Sequence, residues 1–150
     1  MSRMRPSFVL ALAGLLAACS SVPYAQRQQQ RLAAYEAAAG APVRHFSFFT
    51  PLWSWEPLDA SRLVVYTRPR QAWLLDLGAT CQNLMFTNAI GLTSNLNQVS
   101  VNFDRVLTGR GDFPCTIKRI RPVDVARLKI EQEKQRKVEM RPRSGSASGY

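Results

Sequence analysis

An alternation of apolar and polar side chains over residues 98–106 is the pattern that most limits how this chain can fold. Apolar residues stand at every second position, namely Val99, Val101 and Phe103, and polar residues stand between them, namely Ser100, Asn102 and Asp104. Successive side chains of a strand point to opposite faces, so this period gives one buried face and one solvated face. The segment therefore predicts a strand of an antiparallel sheet, in which one face meets the core and the other meets water.

Other short apolar runs extend this prediction. Residues 63–66 and 73–77 are two such runs, and the polar segment between them contains Pro69, which predicts a hairpin. Residues 86–92 are expected to form a fourth strand, and residues 115–120 the last one, after a turn at Gly109–Asp112. No convincing helical pattern separates these strands. We predict an all-β domain over residues 43–122, built as a small antiparallel barrel or sandwich.

The N-terminus has the features of an export signal. Arg3 and Arg5 precede an apolar run from Phe8 to Ala18 that is too short to span a bilayer, which predicts a signal peptide over residues 1–18. The run ends in Leu16-Ala17-Ala18-Cys19, which resembles a bacterial lipobox. This resemblance implies that Cys19 becomes the first residue of the mature chain and carries acyl chains such as palmitate on its sulfur and its amine. A plain secretory signal with an incidental cysteine is the alternative.

A lipidated Cys19 also predicts a location. Each buried methylene of an acyl chain contributes about 0.8 kcal/mol, so two or three chains anchor a protein in effect permanently. In enteric-type sorting, an aspartate after the lipidated cysteine favours retention in the inner membrane, and here that residue is Ser20. We therefore expect a lipid-anchored protein of the bacterial cell envelope, at the outer membrane and facing the periplasm.

The two remaining cysteines, Cys81 and Cys115, are expected to form a disulfide. The periplasm is oxidising, and an even pair of cysteines within one small exported domain is typical of a structural bridge. A metal site is the alternative, but Cys81, Cys115 and the single histidine, His45, lack ligand-pair spacing and a fourth donor. We predict neither a metal nor another cofactor.

The segments that flank the predicted domain differ from it in composition. Residues 19–42 are expected to be a lipidated tether, in which the helix-forming residues 24–39 are a spacer that is helical or partly disordered. Residues 123–150 are expected to be a basic helix capped by Asp124, followed by a disordered tail over residues 141–150.

Positive charge is concentrated towards the C-terminus. Six basic and five acidic residues lie between residues 41 and 117, whereas ten basic and four acidic residues lie between residues 118 and 143. In the cell envelope, such a segment is expected to meet lipopolysaccharide phosphates, anionic phospholipid or an acidic protein face. The lipobox argues against nucleic acid as a partner.

Seven short segments occur in an order that resembles a family of short proteobacterial lipoproteins classed only as a domain of unknown function. They include the two cysteines, each beside its own strand, and the resemblance extends over roughly residues 46–128: Trp55–Asp59, Leu63–Tyr66, Trp73–Leu77, Cys81–Leu84, Ala89–Leu92, Phe103–Asp104 and Cys115–Pro122. The resemblance implies an envelope location and a disulfide-linked β-rich domain. It implies no activity.

Two groups of residues are candidates for a binding surface. Trp53 and Trp55 have the same parity in a strand, so one face could present both, although the aromatic residues around them are mainly expected in the core. Lys118, Arg119 and Arg121 could bind anions. A merely solvated helix and tail is the alternative for the later charges, because Glu131, Glu133 and Glu139 are interleaved with them.

These observations favour a non-enzymatic lipoprotein that binds another envelope component. One alternative is an inhibitor of a host hydrolase such as lysozyme, but lysozyme is basic and would favour an acidic inhibitor face. A second alternative is an enzyme on envelope polymers that uses paired carboxylates from Asp59, Asp76, Asp104 and Asp112. Asp104 and Asp112 are expected on the solvated surface, and no nucleophile elbow accompanies His45, so no catalytic residue is assigned.

Overall fold

The computed structural model describes residues 23–49, 51–78 and 81–140 of the chain. In this described part, helices α1 (Tyr24–Ala38) and α2 (Val125–Glu139) stand at the two ends, and a 3-10 helix covers Gln82–Met85. Eight strands lie between α1 and α2: β1 (His45–Ser47), β2 (Ser54–Asp59), β3 (Arg62–Arg68), β4 (Gln71–Leu77), β5 (Gly91–Leu92), β6 (Gln98–Ser100), β7 (Arg105–Leu107) and β8 (Cys115–Val123).

The strands form curled antiparallel sheets that make a half-barrel, which confirms the predicted all-β fold. Six strands lie in one sheet in the order β2–β3–β4–β8–β7–β5, and β1 pairs with β6 in a separate ribbon. The pairing of β4 with β8 is the longest-range contact at the centre of the sheet, joining Ala72–Leu77 to Ile117–Val123. The expected hairpin is also present, with only Pro69 and Arg70 between β3 and β4.

The central strands bury both of their faces, which explains why they are almost continuously apolar. In β3, Leu63 and Val65 belong to one core, whereas Val64 belongs to a second core on the other face. The first core is covered by the β1–β6 ribbon, where Phe46 stacks on Trp73 with ring centroids 5.1 Å apart. The second core is covered by the two helices.

A disulfide joins Cys81 to Cys115 at the edge of the first core, as predicted. Both cysteines are buried. The bridge connects the first residue of β8 to the residue that precedes the 3-10 helix, and the two cysteines are 34 residues apart in sequence.

Helix α1 is part of the folded domain, so the interpretation of residues 24–39 as a spacer is wrong. Ala34, Tyr35 and Ala38 are buried on the second core, and Tyr35 is only 1% exposed. The physical reason is that the sheet is apolar on both faces and needs a cover on each, and α1 supplies one of these covers. The domain therefore begins within the expected 19–42 tether and not at residue 43.

Polar contacts fix α1 on the sheet. The Tyr35 hydroxyl donates to Glu56 Oε2 at 2.7 Å and lies 2.9 Å from the Tyr66 hydroxyl, and burial raises the pKa of Tyr35. Glu36 Oε1 accepts a hydrogen bond from Arg121 Nη2 at 3.0 Å and lies 3.3 Å from Arg62 Nη1. These contacts tie α1 to β2, β3 and β8 at once.

Helix α2 begins where the sequence predicted. Asp124 is its N-cap, and one side-chain oxygen accepts hydrogen bonds from the backbone N–H groups of Ala126 and Arg127, both at 3.0 Å. Only Leu128 of this helix is buried, in agreement with the expectation that the later turns are solvated. The disordered tail expected over residues 141–150 lies outside the described residues.

The single strand predicted over residues 98–106 is wrong, because the chain turns within it. β6 ends at Ser100 and β7 begins at Arg105, and Asn102 between them adopts a φ of 63°. Asp104 is only 4% exposed, and its carboxylate accepts hydrogen bonds from the Ser100 N–H at 2.7 Å and from Thr93 Oγ1 at 2.8 Å. Such side-chain bonds to the backbone compete with a continued strand ladder, and asparagine tolerates the left-handed region.

The fourth strand is also much shorter than the one predicted over residues 86–92. The 3-10 helix ends at Met85, and only Gly91–Leu92 forms a strand. Thr87 Oγ1 lies 2.6 Å from the carbonyl oxygens of Ala89 and Thr108, so the intervening loop is held by its own side chains. Although residues 86–92 are largely apolar, most of them therefore do not pair with a neighbouring strand.

We expect the disulfide to stabilise the domain substantially. In the chain-entropy model, closing a loop of this length is worth about 3–4 kcal/mol. The double substitution Cys81→Ala/Cys115→Ala should lower the free energy of unfolding, measured by urea titration, by about that amount. Reductant should destabilise the parent protein similarly and leave the double variant unchanged. An unaltered urea midpoint in the variant would contradict a stabilising bridge.

The ion pair of Glu36 should make stability depend on pH. The hydrogen bond from Arg121 is the main cause that lowers the pKa of Glu36 below its ordinary value of 4.5. A carboxylate with a lowered folded-state pKa stabilises the fold above its unfolded-state pKa and loses this contribution as the pH falls towards its folded-state pKa. Glu36→Gln should therefore be less stable than the parent at pH 7, and the difference should shrink below pH 4.5.

The measurement is urea unfolding of both proteins between pH 7 and pH 3. Glu133→Gln removes an exposed carboxylate of α2 and serves as the matched control, with little effect expected across the range. A difference between Glu36→Gln and the parent that stays constant with pH would contradict this assignment.

Candidate functional site

The predicted tryptophan surface is not formed as a pair. Trp53 precedes β2 and is 66% exposed, and its backbone N–H donates to the Tyr66 carbonyl at 2.8 Å. Trp55 lies in β2, is half-buried and packs against the first core. Only Trp53 is therefore available to a partner, while Trp55 mainly supports the fold.

Arg121 is an internal structural residue and not part of an anion-binding surface. Its side chain is 11% exposed and forms ion pairs with Glu36 of α1 and Asp76 of β4. The hydrogen bonds that Arg121 donates to the Glu36 carboxylate are the main cause that raises the pKa of Arg121. The sequence predicted an exposed cation here, but the pairing of β4 with β8 brings Asp76 to Arg121, and the docking of α1 on the sheet brings Glu36.

Lys118 and Arg119 are both exposed, because β8 contains a bulge at this point. Asp76 of β4 is opposite Arg119, and the next residue, Leu77, is opposite Ile117, so Lys118 is the extra residue of β8. A bulge interrupts the strict alternation of faces. Two consecutive cations therefore stand in solvent between the buried residues Ile117 and Ile120.

The edge of β8 is uncovered beside these cations. The linker that follows α1 runs along β8, where the Val43 N–H donates to the Ile120 carbonyl at 2.9 Å. The turn after β6 meets the same edge further along, where the Asn102 N–H donates to the Ile117 carbonyl at 2.7 Å. Between these contacts the two segments are joined to each other, since the Val101 N–H donates to the Arg44 carbonyl at 2.9 Å, and a shallow hollow remains beside β8.

We call this hollow the β8 groove and define it by the residues that line it. Two adjoining depressions share Arg44 and Val101, and together their lining comprises Pro42, Val43, Arg44, His45, Ser100, Val101, Asn102, Lys118 and Arg119. Val43 and Val101 supply apolar surface, while Arg44, His45, Lys118 and Arg119 supply nitrogen donors. No carboxylate belongs to this set of described lining residues.

The nitrogen donors of the β8 groove are not equally available. Arg119 Nε is bound to Asp76 Oδ2, and Lys118 Nζ lies 3.5 Å from the Asn102 side-chain oxygen. Arg44 and His45 are exposed at the start of β1. This arrangement suits a ligand with several negatively charged oxygens, because guanidinium and ammonium groups donate to such oxygens in charge-assisted hydrogen bonds.

Sequence reasoning identified Lys118 and Arg119 but missed Arg44. Arg44 is 74 positions from Lys118 along the chain and reaches the groove only because the α1–β1 linker lies along β8. His45 is the first residue of β1, and its side chain is exposed. No local signal distinguished either residue as part of a groove.

The four aspartates considered as paired carboxylates of an enzyme on envelope polymers form contacts that stabilise the fold. Asp59 accepts hydrogen bonds from Ser61 and Arg62, Asp76 pairs with Arg119 and Arg121, and Asp112 accepts from Asn83 and Thr108. The expectation that Asp104 is solvated is wrong, since it is buried in the β6–β7 turn. Each of these carboxylates already has partners within the protein.

Over the described ranges, no group of three or more histidine, cysteine, aspartate or glutamate side chains is arranged to hold a metal ion. Among the helices of the described chain, none combines the length and apolarity needed to cross a bilayer.

Comparison of the chain with known protein families gives a match. A family model described as "Family of unknown function (DUF6491)" matches residues 2–139. No curated protein and no solved structure matches the chain.

Proposed function

The chain therefore belongs to DUF6491, a family of unknown function, and we propose that it is a non-enzymatic, lipid-anchored protein of the bacterial cell envelope. We further propose that it binds a phosphate-bearing envelope component in the β8 groove. The observation that carries this proposal is the groove itself, in which two adjoining depressions are lined by Arg44, His45, Lys118 and Arg119 and by no carboxylate.

The N-terminal sequence supports the anchor. The basic residues, the short apolar run and Leu16-Ala17-Ala18-Cys19 together form a lipoprotein signal, and acylation would fall on Cys19. The Cys81–Cys115 disulfide is in keeping with an oxidising compartment such as the periplasm. Ser20 supports an outer-membrane destination.

The charge and shape of the β8 groove support an anionic ligand. Each lysine or arginine near an anionic surface contributes about 1 kcal/mol. Val43 and Val101 add apolar surface beside the cations, so a ligand with both phosphate and hydrocarbon fits the lining better than a free phosphate does. Lipopolysaccharide has both features and is the first ligand to test.

The alternatives receive less support from the same geometry. A basic groove repels a basic hydrolase such as lysozyme, so this surface is unsuited to an inhibitor of that enzyme. An enzyme on envelope polymers needs carboxylates free to exchange protons, whereas Asp59, Asp76, Asp104 and Asp112 are engaged in contacts within the fold.

Lipidation should depend on Cys19 alone. The protein expressed in a Gram-negative host should incorporate an alkyne-tagged palmitate and sediment with the outer membrane. Cys19→Ala should abolish both the label and the membrane association, while Ser20→Ala should remain labelled. Labelling that persists in Cys19→Ala would contradict the assigned anchor, and a soluble, unlabelled parent would favour the plain secretory signal.

Binding of lipopolysaccharide should depend on the cations of the β8 groove. The mature chain with Cys19→Ala stays free of acyl chains, and its affinity for lipopolysaccharide can be measured by surface plasmon resonance. Adding Arg44→Gln and Lys118→Gln should weaken binding by about 30-fold at low salt, at about 1 kcal/mol for each charge.

The control for that experiment is Arg68→Gln/Arg70→Gln. This pair removes the same charge at the β3–β4 turn, beyond the other end of the β4–β8 pairing, where both side chains are exposed. Its effect should be several-fold smaller. An equal loss in both variants would indicate binding by net charge only, and the absence of binding by the parent chain would exclude this ligand.

A further inference from the structure

Helices α1 and α2 lie side by side in opposite directions, like the two arms of a hairpin. The end of α1 and the start of α2 form the closed end of this pair, and the start of α1 and the end of α2 form its open end. At the closed end, Ala39 after α1 forms a β-bridge with Val123 before α2. Towards the open end, Gln135 Nε2 of α2 donates to the Gln30 carbonyl of α1 at 2.6 Å. The start of α1 and the end of α2 therefore lie side by side. We define the hairpin end as residues 24–27 and 136–140.

The hairpin end carries exposed cations on both helices. Arg27 of α1 and Arg136 of α2 are exposed and line one shallow hollow between the helices. Lys137 is exposed beside Arg136. Glu139 is the acidic residue that lines the same hollow, so the described surface keeps an excess of positive charge. In the sequence, Arg141 and Arg143 follow directly after Met140.

Apolar side chains are exposed at the same end. Tyr24, Val138 and Met140 are between 65% and 73% exposed, and Ile130, nearer the start of α2, is 53% exposed. Cations combined with a tyrosine and aliphatic side chains are typical of surfaces that lie in the headgroup region of a bilayer. The charge is complementary to anionic phospholipid.

The covalent chain fixes where this end can be. Five residue steps separate Cys19 from Tyr24, and five extended residues span at most about 17 Å. An acylated Cys19 lies at the membrane surface, so the start of α1 must stay within this distance of it. The hairpin end, through the start of α1, is thus the part of the described domain with the shortest covalent tether to the bilayer.

We propose that the hairpin end docks on anionic phospholipid headgroups, so that the domain is held against the membrane by α1 and α2 as well as by the acyl chains. This inference rests on the Cys19 anchor of the proposed function but is independent of the β8 groove ligand. Arg27, Arg136 and Lys137 bind lipid phosphates, and Tyr24, Val138 and Met140 enter the interface. The strands and the β8 groove remain free for another ligand.

The first test uses the mature chain with Cys19→Ala, so that binding without acyl chains is measured. It should bind vesicles of phosphatidylglycerol and phosphatidylethanolamine and should not bind phosphatidylcholine vesicles. Because each cation changes the partition about fivefold, Arg27→Gln/Arg136→Gln/Lys137→Gln should reduce it about 100-fold. The control Arg68→Gln/Arg70→Gln/Arg110→Gln removes three exposed cations elsewhere and should retain most of the binding.

Equal loss in the two triple variants, or no binding to anionic vesicles, would overturn the docking proposal. The second test is hydrogen exchange of the acylated full chain in liposomes. Peptides from residues 23–31 and 132–140 should exchange more slowly on phosphatidylglycerol than on phosphatidylcholine, and the β3–β4 turn should not differ. Equal exchange of the helix peptides on both lipids would also overturn it.

The outcomes separate this inference from the proposed function. Loss of palmitate labelling at Cys19 with retained binding to anionic vesicles would reject the anchor and keep a lipid-binding hairpin end. Labelling at Cys19 with no effect of the hairpin variant would keep the anchor and reject docking. Vesicle binding that falls with Arg44→Gln/Lys118→Gln in place of the hairpin variant would reject the hairpin end as the lipid surface.

Discussion

The docking of α1 on the central sheet is the interaction on which the rest of the structure depends. The sheet is apolar on both faces, so one face would be exposed to water if α1 did not cover it. Tyr35 supplies the largest buried side chain of the helix, and Glu36 joins α1 to Arg121 and Arg62 on two different strands. Burial and ion pairing together fix both the position and the direction of the helix.

The docking of α1 also determines where the two candidate binding surfaces, the β8 groove and the hairpin end, are located. Because α1 ends beside Val123, the linker after it must run back along β8, and it carries Arg44 to Lys118 and Arg119. Because α2 begins at that same place, its far end returns to the start of α1 and brings Arg136 beside Arg27. The position of α1 on the sheet therefore determines where both the β8 groove and the hairpin end form.

Local sequence patterns were sufficient to predict the elements that depend only on residues close together in the chain. The β3–β4 hairpin follows from two apolar runs around Pro69, and the start of α2 follows from the capping side chain of Asp124. Local signals failed where side chains bind the backbone in an unexpected way. Asp104 ends the strand that the alternation over residues 98–106 predicted, because its carboxylate binds the Ser100 N–H and Thr93 from within the turn.

The sequence by itself determined the β-rich class, the Cys81–Cys115 pairing and the membership of a family of unknown function, because strand period, cysteine count and motif order are properties of the chain. Only the tertiary structure decided which cations face solvent. Lys118, Arg119 and Arg121 look alike in sequence, yet a bulge exposes the first two and the carboxylates of Glu36 and Asp76 enclose the third. The physical reason is that ion pairing between distant segments depends on strand register and helix position, which no short stretch of sequence encodes.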